Sequence, residues 1–88
     1  MHEMSIANSV IEAARAESSR YPRSRVRKIS LRIGEWSGVD TESLRFCFDV
    51  LKTETEMADA ELEIEYRERS DDLLVSSLEL ECPEDPPA

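Results

Sequence analysis

Three stretches of this chain alternate with a period of two, and their polar sides carry opposite charges. Ile29, Leu31 and Ile33 alternate with Lys28, Ser30 and Arg32, and Leu62, Ile64 and Tyr66 alternate with Glu61, Glu63 and Glu65. A third run, from Leu73 to Glu81, puts Leu74, Ser76, Leu78 and Leu80 on one side, with Glu79 and Glu81 on the other. Such alternation marks strands with one face buried and the other in water. Opposite charges on neighbouring strands help and like charges directly opposite cost, which places the basic strand between the two acidic ones. The short polar turn at residues 70–72 favours instead a direct hairpin of the second and third strands. The sequence leaves both orders open.

Two amphipathic segments supply cover for the buried face. From Glu3 to about Arg20, the residues Met4, Ala7, Val10, Ile11 and Ala14 recur at steps of three and four, one face of a helix that must stop before Pro22. Residues 34–40 hold both glycines and form a shaped connection. Asp40 is a suitable N-cap, with Glu42 in the first turn of a second helix, from Thr41 to about Thr53. Leu44, Cys47, Phe48 and Leu51 form its inward stripe, while Arg45, Asp49 and Lys52 point outward. Cys47 thus reads as a small core residue. The order helix, strand, helix, strand, strand predicts an α+β fold, two helices on one face of a small three-stranded sheet. Residues 1–81 are expected to form one domain, and the proline-rich tail at 82–88 to be disordered.

Charge and cysteine usage narrow the function. The chain carries a net charge of −9, with a basic excess in residues 1–34 and an acidic excess beyond. An acidic chain argues against nucleic acid, whose binding rests on phosphate neutralisation. No basic start followed by an apolar run suggests a signal peptide, and no stretch approaches the 20 or so apolar residues of a membrane span. Cytoplasm is the expected compartment. Cys47 and Cys82 lie outside any C-x-x-C pair, so their spacing supports neither a zinc ribbon nor a redox motif and leaves a disulfide open.

Catalytic machinery is hard to find. There is no second histidine to act as a base, and neither a G-x-S-x-G motif nor a phosphate-cradling glycine loop. No catalytic residue is assigned and no enzyme is expected. The one candidate site is the start of the chain. His2 is the only histidine. Together with the amine of Met1 and nearby deprotonated backbone amides, its imidazole offers an all-nitrogen set that suits Ni(II) or Cu(II) better than Zn(II). Taken alone, a histidine at a chain end more simply reads as a frayed terminus.

Two separated segments add to that reading. Met-His-Glu-Met-Ser-Ile-Ala at residues 1–7 and Gly-Glu-Trp-Ser-Gly-Val-Asp-Thr-Glu-Ser-Leu-Arg-Phe at 34–46 resemble the HypA/HybF nickel metallochaperones of hydrogenase maturation. The strands at 29–33 and 60–64 fit the same pattern in order. The resemblance implies a site in which Met1 supplies its amine, His2 its imidazole and backbone amide, and Glu3 its backbone amide to Ni(II). It also implies two partners, a nickel-handling maturation GTPase and the hydrogenase large-subunit precursor, with urease as a further target. The Glu3 side chain has two readings: it tunes the site or meets a partner, or it favours the helix start through the macrodipole.

The chain departs from that family in one large respect. Members carry a zinc domain on two C-x-x-C pairs between the second and third strands, whereas residues 66–72 (Tyr-Arg-Glu-Arg-Ser-Asp-Asp) fill that place here. The run at 74–81 resembles the strand that follows the zinc domain, so an internal loss is implied and no zinc is expected. Cys82 alone cannot replace four thiolates. Three functions follow. The first is a nickel metallochaperone without zinc. The second is an interaction module that kept the fold and lost metal delivery, and the third a Cu(II) chelate unconnected with hydrogenase. Edge strands permit a homodimer without requiring one.

Overall fold

The alternating segments pair into one mixed sheet in the computed structural model, which describes residues 2–82. Helix α1 spans Glu3–Ser18 and strand β1 Arg25–Gly34. A single 3-10 turn, Glu35–Ser37, precedes helix α2 at Thr41–Lys52, and strands β2 (Glu61–Arg67) and β3 (Leu73–Glu81) follow. The strand order is β2-β1-β3, so the basic strand is central, as the charge pattern predicts. Strand β1 runs parallel to β2 and antiparallel to β3. A parallel neighbour needs a crossover, and the 3-10 turn with α2 provides it.

The register sets opposite charges side by side. Lys28 Nζ lies 2.8 Å from Glu63, Arg32 Nε 3.6 Å from Glu65, and Arg25 reaches Glu81 at 3.5 Å. The hydrogen bond from Lys28, and then its charge, hold the Glu63 carboxyl below the usual glutamate range. Lys28 is raised in return. On the helix side, a hydrogen bond from Arg15 of α1 lowers Glu56 in the same way. Solvent screens these pairs, so each adds little to stability.

The hairpin reading of β2 and β3 is overturned by the path of residues 68–72, which cross the end of β1. Gly34 N–H donates to Asp72 O and Trp36 N–H to Ser70 O, both at 2.7 Å, and Arg69 N–H donates to the Glu35 carboxylate at 2.8 Å. Arg69 takes a left-handed φ of 53° to make the crossing. A Cβ on Gly34 would lie 2.1 Å from Ser70 O. Glycine is therefore required at 34 by close approach of another backbone.

Two irregularities in the ladder explain departures from simple alternation. Arg27 is an extra residue between the Val26–Leu80 and Lys28–Glu79 pairs, so Val26 and Ile29 both reach the core. Ser76 is extra between the Ser30–Ser77 and Leu31–Val75 pairs. A bulge of this kind reverses the parity of everything beyond it. Leu74 and Ser76 consequently do not share the face of Leu78 and Leu80; Leu73 and Val75 do, and Leu74 pairs with Arg32 on the outer side.

The core lies between the helices and the inner face of the sheet. Ala7, Val10, Ile11 and Ala14 of α1 meet Val26, Ile29, Leu31 and Ile33 of β1, with Leu44 and Phe48 of α2. Cys47 and Leu51 are only half-buried beside them. Met57 and Ala60, in the turns after α2, complete the core and carry no periodic signal. Three expected placements differ. Met4 is 46% exposed, at the seam between the helices instead of over β1. Tyr66 is 56% exposed because α2 reaches β2 only over its first half, through Arg45 to Leu62 O and Lys52 to Ala60 O. That second bond also draws Lys52 inward, over the Phe48 ring, although the helical pattern points it outward. Helix α1 ends at Ser18, slightly before the expected stop. The tail at residues 83–88 falls outside the described residues.

Two predictions follow from this geometry. Gly34→Ala should cost about 2–4 kcal/mol in urea unfolding, the upper range of overpacking, because backbone faces the new methyl. Gly38→Ala, at φ 77° with open space around it, should cost only about 1–2 kcal/mol for its left-handed backbone. For pH, carboxyls depressed on folding stabilise above their unfolded pKa and lose that contribution as pH falls through the folded value. Stability should thus decline below about pH 4, and Lys28→Gln should flatten part of that decline by returning Glu63 to its usual range. Acid titration followed by circular dichroism checks both.

Candidate metal centre

The two helices begin at the same end of the molecule, and the candidate site lies where they meet. His2 is the N-cap residue of α1, with extended backbone (φ −92°, ψ 99°), and its carbonyl accepts from Ile6 N–H at 3.1 Å. Its imidazole makes no capping hydrogen bond and is exposed. The first N–H groups of a helix have no acceptor within it. A metal replacing the amide protons of His2 and Glu3 therefore breaks no helix bond. The positive end of the macrodipole stabilises the resulting amide anions and disfavours the cation itself. Either effect is about 1 kcal/mol or less, small beside the energies of metal coordination.

Glu3 is placed by a contact that sequence reading did not supply. Its carboxylate accepts the backbone N–H of Asp40 at 3.3 Å, tying the first turn of α1 to the loop before α2. Asp40 in turn caps α2, its Oδ1 accepting from Glu42 N–H at 3.0 Å and Ser43 N–H at 3.2 Å, as expected of that residue. The expected choice between a site role and a helix-dipole role for Glu3 thus has a third member, a link between the helix starts.

Between them opens a shallow cleft of about 550 Å³ lined by His2, Glu3, Met4, Glu42, Ser43, Phe46 and Cys47. His2, Glu3 and Glu42 give it one imidazole and two carboxylates; Met4 and Phe46 give it an apolar lip. Among the described residues no three histidine, cysteine, aspartate or glutamate side chains converge on a common metal position. Cys47 and Cys82 are free thiols, one half-buried in the cleft wall and the other exposed after β3. Met1, the expected amine ligand, falls outside the described residues. A second groove of about 370 Å³ between α1 and β3 is apolar apart from Ser5 and Ser9 and offers no metal donor.

The segments at 1–7 and 34–46 are therefore one site in space: the first supplies His2 and Glu3, the second Asp40, Glu42, Ser43 and Phe46. A sequence model for hydrogenase/urease nickel incorporation metallochaperones of the HypA family matches residues 1–71. The chain belongs to the HypA family. Hydrogenase maturation factor HypA of Chlorobium limicola is 45% identical over 65 residues, covering 74% of this chain and 56% of that protein. The corresponding factor of Chlorobaculum parvum is 48% identical over 65 residues, 74% of this chain and 58% of the relative. This chain thus spans little more than half the length of the relatives it matches. Among solved structures, the nickel metallochaperone HypA from Helicobacter pylori shares the fold with a TM-score of 0.70 at 20% identity, over 88% of this chain and 72% of the other. The sequence contains no C-x-x-C pair. Among the described residues, no helix is long and apolar enough to cross a membrane.

Glu3→Ala should free the Asp40 amide, raising its hydrogen-exchange rate several-fold. Glu3→Gln, whose amide oxygen still accepts, should retain most of the protection. Equal exchange in all three proteins would show that the link carries no energy.

Proposed function

We propose that this chain is a nickel metallochaperone that binds one Ni(II) at its amino-terminal end and passes it on during maturation of [NiFe] hydrogenase. The observation that carries this reading is the uncommitted imidazole of His2, standing at a helix start over an open acidic cleft in a member of the HypA family. The donors are the His2 imidazole and backbone amide, the Glu3 backbone amide and the Met1 amine. Residues 1–81 act as a single nickel-binding domain without structural zinc and without catalysis of its own. Its partners are a nickel-handling GTPase and the hydrogenase large-subunit precursor, in the cytoplasm.

A site made from backbone amides and an imidazole must lose protons to bind metal, so affinity rises with pH. Calorimetric titration of a chain that begins at Met1 should show one Ni(II) per protein, with affinity weakening at least tenfold from about pH 8 to about pH 6. His2→Ala, or an extension ahead of Met1, should abolish that binding. Nickel binding that survives His2→Ala would overturn the assignment, and a chain that binds its partners but never nickel would make it an adaptor.

A further inference from the structure

Strand β3 is an edge strand that its own chain covers incompletely. It pairs with β1 on one side only, and Leu73, Leu74 and Val75 at its start stand 38%, 41% and 40% exposed. The groove of about 370 Å³ is lined there by Leu73 and Val75, with Ile6 and Val10 of α1 and Leu31 of β1. An open edge beside an exposed apolar row is a template for another strand. The groove shares no lining residue with the His2 cleft between α1 and α2.

We propose that the occupant of this edge is a second copy of the chain, its β3 added antiparallel about a two-fold axis so that two sheets become one of six strands. The bulge at Ser76 selects the register. Leu73, Val75, Leu78 and Leu80 lie on the inner face, beside the buried Ile33, Leu31, Ile29 and Val26 of β1. Because Ser76 shifts the parity, one antiparallel arrangement matches inner residues along the whole strand. It sets Leu73 opposite the partner's Leu80, Val75 opposite the partner's Leu78, and Ser76 opposite the partner's Ser77 at the axis. On the outer face Glu79 then meets the partner's Leu74. Carboxylates meet only at the two ends, Asp72 against the partner's Glu81. Charge permits this contact although the chain carries −9. Glu79 stands beside Lys28, and Arg25 pairs with Glu81 at 3.5 Å, so β1 of the same chain offsets the acids of β3. The opposite edge is closed by the same reasoning. Alternation in β2 is unbroken, so matching its inner residues with those of a second copy sets glutamate against glutamate, which is unfavourable. The β3 interface uses no residue of the His2 cleft, and it does not depend on the nickel reading.

The test uses the full chain, followed by sedimentation over a dilution series. The parent should form a dimer. Leu74→Glu should raise its dissociation constant roughly tenfold or more, because each new carboxylate faces Glu79 across the axis. Within one chain that position lies beside Arg32, so the far-UV circular dichroism should not change. Oxidation reads the register. With Cys47→Ala and Cys82→Ser as background, Leu74→Cys combined with Glu79→Cys should give a reducible covalent dimer, and either substitution alone should not. Five residues along a strand span roughly 16 Å, too far for a bridge within one chain. A parent that stays monomeric, the result expected if the edge instead receives a strand of another protein, overturns the proposal. So does a dimer that Leu74→Glu leaves as tight as before, or one in which the single cysteines cross-link as well as the pair.

Discussion

The Ser70 carbonyl occupies the space that a side chain at 34 would take, and the sheet depends on that approach. Because residues 68–72 cross the end of β1, β3 descends on the far side and the basic strand is enclosed by the acidic ones. The ion pairs cannot hold this order alone, since solvent screening leaves each of them weak. Their weight is felt in the alternative. A direct hairpin of β2 and β3 would set their glutamates against one another with no cation between, and like charges opposite each other are destabilising. The crossing and the ladder make the observed order, and charge penalises its competitor.

The same end of β1 leads into the candidate site. The crossing fixes Trp36 through its N–H, the chain turns through Gly38 at φ 77°, and Asp40 then caps α2 while its own N–H is held by Glu3. The backbone positions at 34, 38 and 40 thus decide where α2 starts relative to α1. His2 has its place only because both helices begin together. The Glu3–Asp40 bond and the two cap bonds to Asp40 are exposed, and each is worth about 1 kcal/mol net.

Much of the architecture was legible because it rests on periodicity and capping. The inward faces of α1 and α2 and the Asp40 cap follow from local pattern, whereas charge sign favours a central basic strand without deciding it against a hairpin. What escaped has tertiary causes. The parity reversal at Ser76 needs a partner strand to define it, and the exposure of Met4 and Tyr66 depends on where the helices stop covering the sheet. Met57 and Ala60 join the core from turns that alternate with nothing. At the site, the donor set around His2 suggests a chelate, but only the resemblance of residues 1–7 lifts it, with Glu3, above the reading of a frayed terminus. The link from Glu3 to Asp40 spans 37 positions and leaves no trace in spacing. The second segment, at 34–46, held the only available hint, since a capped helix start beside Phe46 fits a site as well as a scaffold.

The segment at which the family match ends also has a physical logic. The family model ends at residue 71, within the crossing, yet the likeness to the Helicobacter pylori structure covers 88% of the chain. Residues 1–71 are too few to account for that share of 88, so the superposition continues into the segment beyond the crossing, where β3 lies. The shared fold thus extends past the end of the family match. Loop closure depends only logarithmically on length, about 0.6 kcal/mol for each doubling. A large insertion or a five-residue arch can consequently join the same two strands, provided that Gly34 leaves room for the backbone passing over it. The candidate nickel site is built from the two helix starts and draws no donor from that connection. A longer segment between β2 and β3 would leave that geometry standing, because among the described residues the crossing meets the chain before α2 at Gly34, Glu35 and Trp36, away from His2.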